Sequence, residues 1–262
     1  MDVNPFEVAR QVTLALVLEP LSDKEGCTTR IQDLNENIRL QHLQASAINS
    51  SKFFYQLAER VKEQHGQPKV YWDLALAALE DSSRNVANSK KIINQGLIAV
   101  LIELALSGLI TEGDGIKICK AVPHILKSSS EKDVHFRTEY LKLSWTTSTK
   151  KHKKEFPHHL IDAKNLFDYW SKFKEVSENT GYISGAIWAN EFIQGFPIMQ
   201  DMYKIAYANI GHGLLKSLEI CFDVGMKNLK SQGYSSAGFV ADYVAGVAFL
   251  LLRDMPDREI IV

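Results

Sequence analysis

Apolar residues recur along this chain at intervals of three and four, and no stretch sustains an alternation of two. An α-helix turns every 3.6 residues, so this spacing gathers apolar side chains on one helical face and predicts helices throughout. Asn4-Pro5-Phe6-Glu7 supplies N-cap, N1 and N3 residues for the first, with Val8, Val12, Ala15, Leu16 and Leu18 behind it and a stop at Pro20. Ile31, Leu34, Ile38, Leu40, Leu43 and Ala47 predict a second helix from Thr29, broken at Ser50-Ser51. Phe53, Phe54, Leu57, Ala58 and Val61 predict another, ended by His65-Gly66 ahead of Pro68. Trp72, Leu74, Ala75, Ala78 and Leu79 mark the next. Asn85 or Asn88 is placed to cap a long apolar helix reaching Ser107-Gly108. After the Thr111–Gly115 turn, a short helix is expected to be interrupted at Pro123. Ser130-Glu131-Lys132-Asp133 has capping-box spacing, and Val134, Arg137, Tyr140 and Leu141 line the helix behind it, which runs to about Trp145.

Residues 146–157 have no apolar period and read as an exposed connector. Pro157 is expected to open a helix carrying Leu160, Ala163, Phe167, Trp170 and Phe173 on one face. Nine of the fifteen glycines fall between Gly181 and Gly246, where they divide the C-terminal third into helices. Val240, Tyr243, Val244, Val247, Leu251 and Leu252 mark the last of these, which stops before Pro256. The expectation is an all-α protein of about eleven helices in two packed lobes, residues 1–145 and 158–262, joined by the connector at 146–157, with little or no sheet.

Composition sharpens this picture in one place. The 262 residues are 45% hydrophobic and carry a net charge of −1, enough for a large core and too neutral for a protein basic over its whole surface. Charge is uneven: residues 1–126 sum to −2, residues 127–174 to +5 and residues 175–262 to −4. The positive middle contains the run KKHKKEFPHH, residues 150–159. Lys150, Lys151, Lys153 and Lys154, with Arg137 and Lys142, are candidate contacts to a polyanion, and Trp145 and Phe156 are candidate stacking platforms for bases. Single-stranded RNA is the expected partner, and a nuclear-import signal or an acidic protein partner fits the same lysines.

Other chemistries find little support. Cys27, Cys119 and Cys221 are far apart and odd in number, which fits a reducing compartment and neither a disulfide framework nor a zinc ribbon. His158, His159 and Asp162 are candidate metal ligands, since His158 and Asp162 would share a helix face. His212, between two glycines, is a candidate general base without a nucleophile or an acid beside it. The TEGDG turn lacks the Lys-Ser/Thr of a phosphate-binding loop, and no cofactor motif is found. The apolar runs 92–110 and 237–252 contain Glu103 and Asp242 and read as buried helices rather than membrane spans. The acidic start MDVNPFEVAR is not a secretory signal, and a cytoplasmic location is expected.

These features predict a non-enzymatic helical binding and assembly protein that grips RNA at its basic middle and self-associates. A helical enzyme with a pocket around His212, Tyr207 and Asp242, and a protein–protein adaptor, are the alternatives. By layout alone the chain is similar to the small nucleoproteins of segmented negative-strand RNA viruses, a likeness of plan that no motif carries.

Overall fold

A computed structural model describes residues 4–33, 39–82, 94–147 and 162–255. Among these residues the protein is all-α, with eleven α-helices and no strand. In chain order they are α1 (Pro5–Leu18), α2 (Leu40–Glu63), α3 (Trp72–Ser82), α4 (Gln95–Ile110), α5 (Gly115–Lys127), α6 (Glu131–Thr147), α7 (Leu166–Asn179), α8 (Ile183–Gln194), α9 (Pro197–Ala208), α10 (Leu214–Ser231) and α11 (Ala237–Asp254).

α4 is apolar on all sides, and every residue from Leu97 to Leu109 is buried. A helix of that composition must lie inside the molecule, and α2, α3, α5 and α11 enclose it. α11 packs on α1 as well as on α4, so residues from both ends of the chain share a core that runs from Val12 to Leu252. No single described helix is long and apolar enough to cross a membrane.

Local chemistry explains the boundaries. Asn4 caps α1 by accepting a 3.1 Å hydrogen bond from the Phe6 amide. The Ser130–Asp133 capping box forms in both directions: the Asp133 amide donates to Ser130 Oγ at 3.3 Å, and the Ser130 amide donates to Asp133 Oδ2 at 3.0 Å.

Four sequence expectations are corrected. Thr29 does not start a helix. The Ile31 amide donates to Thr29 Oγ1, a local alternative to helical bonding, and Ile31 is 75% exposed. Ser50-Ser51 does not break α2, because both hydroxyls donate to carbonyls one turn back, Ala47 and Ile48, and remain helical. Pro123 lies inside an unbroken α5. The donor it lacks would have served the Cys119 carbonyl, and Gly195, at φ 73°, lies so close to that carbonyl that a Cβ there would be 2.6 Å from its oxygen. Finally, Ala163–Asn165 are not helical, and α7 starts at Leu166 under the cap of Asn165, which accepts from the Asp168 amide. Asn85, Asn88 and Pro157 lie outside the described residues.

Candidate binding cleft

The cleft is organised from α6. Asp133 is wholly buried in the first turn, where one carboxylate oxygen accepts from Ser130. Its other oxygen accepts from the Tyr71 and Trp72 amides at 2.8 and 3.0 Å. One carboxylate thus fastens the starts of α3 and α6 together and fixes Trp72. The Trp72 indole then donates to Glu103 Oε1 at 2.8 Å and the Tyr71 hydroxyl to Glu103 Oε2 at 3.0 Å. Burial dominates at Glu103 and raises its carboxyl to about 8, against the lowering effect of those two donors.

Arg137 follows Asp133 by one helical turn, on the same face. Its guanidinium carbon lies 5.0 Å from the Trp72 ring centre, 4.6 Å from Trp170, 5.4 Å from Tyr140 and 5.5 Å from Tyr169. Four electron-rich faces compensate part of the cost of burying this charge. They leave part of its hydrogen-bonding capacity unused. Arg137 is 4% exposed, its Nε and Nη1 have no hydrogen-bond partner, and no ion pair reaches it among the described residues.

Arg137 opens onto a cleft of about 300 Å³ between α4, α6, α7, α8 and α11, at the small end of ligand-binding pockets. Tyr140, Phe173, Tyr182, Trp188, Tyr234 and Phe239 supply its aromatic surface. Those rings hold one another in place. Trp188 stacks on Tyr243 at 5.6 Å and meets Phe239 edge-on at 5.0 Å, and Phe173 meets Tyr182 edge-on at 6.5 Å. Asp242 on α11 and Gly96 on α4 also line the cleft. Burial, then the nearby charge of Glu19, pushes the Asp242 carboxyl well above the usual carboxylate range. An aromatic chamber holding one cation and one acid can stack on a flat ring and hydrogen-bond to an anion, and it contains no nucleophile–base pair.

The structure distributes the sequence candidates unevenly. Arg137 is in the cleft, as a buried group rather than an exposed one on the surface. Lys142 lies on the outer side of α6, where it pairs with Glu139 at 2.7 Å. Trp145 is in the last turn of α6, with its side chain outside the described set, and Lys150, Lys151, Lys153, Lys154, Phe156, His158 and His159 lie outside the described residues altogether. Asp162 is exposed, and no group of three or more His, Cys, Asp or Glu side chains is placed to hold a metal among the described residues. His212 is exposed in a short 3-10 turn, Ile210–His212, and lines neither this cleft nor a second cavity, which contains Tyr207, Tyr203 and Asp254. Tyr207, His212 and Asp242 are therefore not brought together. All three cysteines are buried, and burial raises the Cys27 thiol to about 12 and the other two upward as well, the opposite of what a nucleophile needs.

Sequence reasoning had no means of assembling Trp188, Tyr234 and Gly96 into one site, because five helices distant in the chain contribute to it. Two signals were present all the same: Arg137 shares a helix face with Val134, Tyr140 and Leu141, and Asp242 interrupts an apolar run. Comparison with protein-family models, with curated proteins and with solved structures gives no match for this chain.

Proposed function

We propose that the protein binds single-stranded nucleic acid, RNA first, with a nucleotide seated in the α4–α6–α7–α8–α11 cleft. The observation that carries this reading is Arg137: a buried guanidinium whose Nε and Nη1 have no hydrogen-bond partner, and which no ion pair reaches, among the described residues, beside an aromatic cavity. A buried donor left unpaired costs about 1–3 kcal/mol, more for a charged group, and an incoming anion recovers it. Phosphate oxygens accept from guanidinium with charge-assisted bonds, and the cleft's rings offer faces on which a base stacks. Lys150, Lys151, Lys153 and Lys154 adjoin α6 in the chain and would add salt-dependent, sequence-independent attraction for the flanking backbone.

The test is fluorescence anisotropy of a labelled single-stranded RNA decamer titrated with protein at several salt concentrations, for wild type and Tyr234→Ala. Tyr234 is partly buried at the cleft, so its truncation spares the core. Loss of one stacking face is worth about 1–3 kcal/mol, a roughly 5- to 150-fold weaker Kd. Binding that fails at low salt, or is indifferent to Tyr234→Ala, would refute the proposal.

A further inference from the structure

Asp242 is an expensive residue to keep where it is. It sits in α11 between Ala241 and Tyr243, in a helix whose residues from Ala237 to Leu252 otherwise carry no charge. Its carboxyl occupies the space beside Gly96 in α4, where an added Cβ would overlap both carboxyl oxygens. A glycine in the first turn of a largely apolar helix is thus matched to this acid. No hydrogen bond or ion pair to the carboxyl is found among the described residues. The nearby titratable groups do not neutralise it. Glu19, from the segment after α1, is itself an acid, already paired with Lys24 at 3.2 Å, and Cys27, Tyr140 and Tyr243 are acids whose protons burial retains. The result is a cleft lined by donors at Arg137 and by two acceptor oxygens at Asp242, for which no partner is found among the described residues, together with six aromatic rings.

An ionised carboxylate accepts only, through two oxygens side by side. Among the four RNA bases, guanine alone presents two adjacent donors on one edge, N1–H and the 2-amino group. Uracil, cytosine and adenine each offer a donor beside an acceptor, which leaves one carboxylate oxygen facing a lone pair. A site built to hydrogen-bond a group rejects an analogue lacking it far more strongly than an apolar pocket rejects a change of size. Resting on the nucleic-acid reading, we propose that Asp242 is the specificity-determining group of the cleft and that it selects guanine by accepting from N1–H and the 2-amino group of the inserted base.

The experiment uses the full chain and three labelled decamers of uridine, two of which carry a single central guanosine or inosine. Inosine keeps the purine ring and N1–H and lacks the 2-amino group. The expected result is at least tenfold tighter binding of the guanosine decamer than of either other. In Asp242→Asn, which preserves size and shape, the three decamers bind alike, because an amide presents one acceptor oxygen beside an NH2 donor and cannot face two adjacent donors. The guanosine advantage also grows as pH rises, since the binding form is the ionised one and burial resists its formation. Equal affinity for guanosine and inosine decamers in the wild type would overturn the inference, as would a preference that survives Asp242→Asn. Failure of all three decamers to bind would instead overturn the underlying nucleic-acid reading.

Discussion

Two clusters of ionisable groups are centred one helical turn apart on α6, at Asp133 and at Arg137, and the protein treats them in opposite ways. Around Asp133 and Glu103 every acid is supplied with donors: the amides of Tyr71, Trp72 and Ser130, the Tyr71 hydroxyl and the Trp72 indole. Around Arg137 and Asp242 the rings pack well, yet among the described residues no partner is found for Nε and Nη1 of the guanidinium or for the carboxyl. A satisfied buried charge fixes geometry, while an unsatisfied one is a standing cost. The contrast assigns the first cluster to holding helices together, and it is what the proposal of a ligand at the second rests on.

Removing a member of the satisfied cluster has the largest expected effect. Asp133→Ala strands the starts of α3 and α6, and should cost about 3 kcal/mol or more of unfolding free energy in urea titration, given about 1.5–3 kcal/mol for a hydrogen bond to a charged group. A loss below about 1 kcal/mol would mean that the two helices do not depend on this carboxylate.

The next effect probes the fit between Gly96 and Asp242. Gly96→Ala drives a methyl into the carboxyl and should cost about 1–3 kcal/mol, as overpacking does. Adding Asp242→Ala should restore most of it, and strict additivity in that double-mutant cycle would show that the two residues do not press on each other.

A smaller effect comes through pH. Glu103 and Glu191 are both raised from an ordinary value near 4.5 to about 8, burial being the first cause at each. An acid whose folded pKa exceeds its unfolded one keeps a proton that the unfolded chain has released, so stability is full below about 4.5 and falls as pH rises towards about 8. Each group contributes a slope of up to about 1.4 kcal/mol per pH unit in that window. Glu103→Gln removes its own share of the slope, visible as a flatter dependence of Tm on pH. An unchanged profile would place the Glu103 pKa near its ordinary value.

The smallest effect on stability, essentially none, is expected from replacing Lys150, Lys151, Lys153 and Lys154 together by alanine. Its signature lies in binding: the slope of log affinity against log salt should shrink by roughly 0.7 for each phosphate that the variant no longer neutralises. An unaltered slope would remove these lysines from the interface and leave Arg137 to account for binding alone.

The fold was far easier to read in the sequence than the cleft. Helix starts such as Asn4-Pro5 and Ser130–Asp133 are local chemistry, and local chemistry is written in consecutive residues. Two of the four misreadings fall where a side chain chose between two local partners. Ser50 and Ser51 bond back along α2 and keep it whole, while Thr29 binds the Ile31 amide and keeps that segment out of a helix. Arg137 was singled out from its charge, but its place inside a cage of Trp72, Tyr140, Tyr169 and Trp170 depends on α3, α6 and α7 meeting, which no local pattern encodes.

The central claim is that Arg137 is unpaired because a ligand pairs it, and Arg137→Met tests this most directly. Methionine fills similar space among the aromatic rings without charge or donors. Urea unfolding and RNA-decamer anisotropy on the same preparation should show stability within about 1 kcal/mol of wild type and affinity reduced at least tenfold. Affinity unchanged with stability lost would contradict the account, and would make Arg137 a part of the core and nothing more.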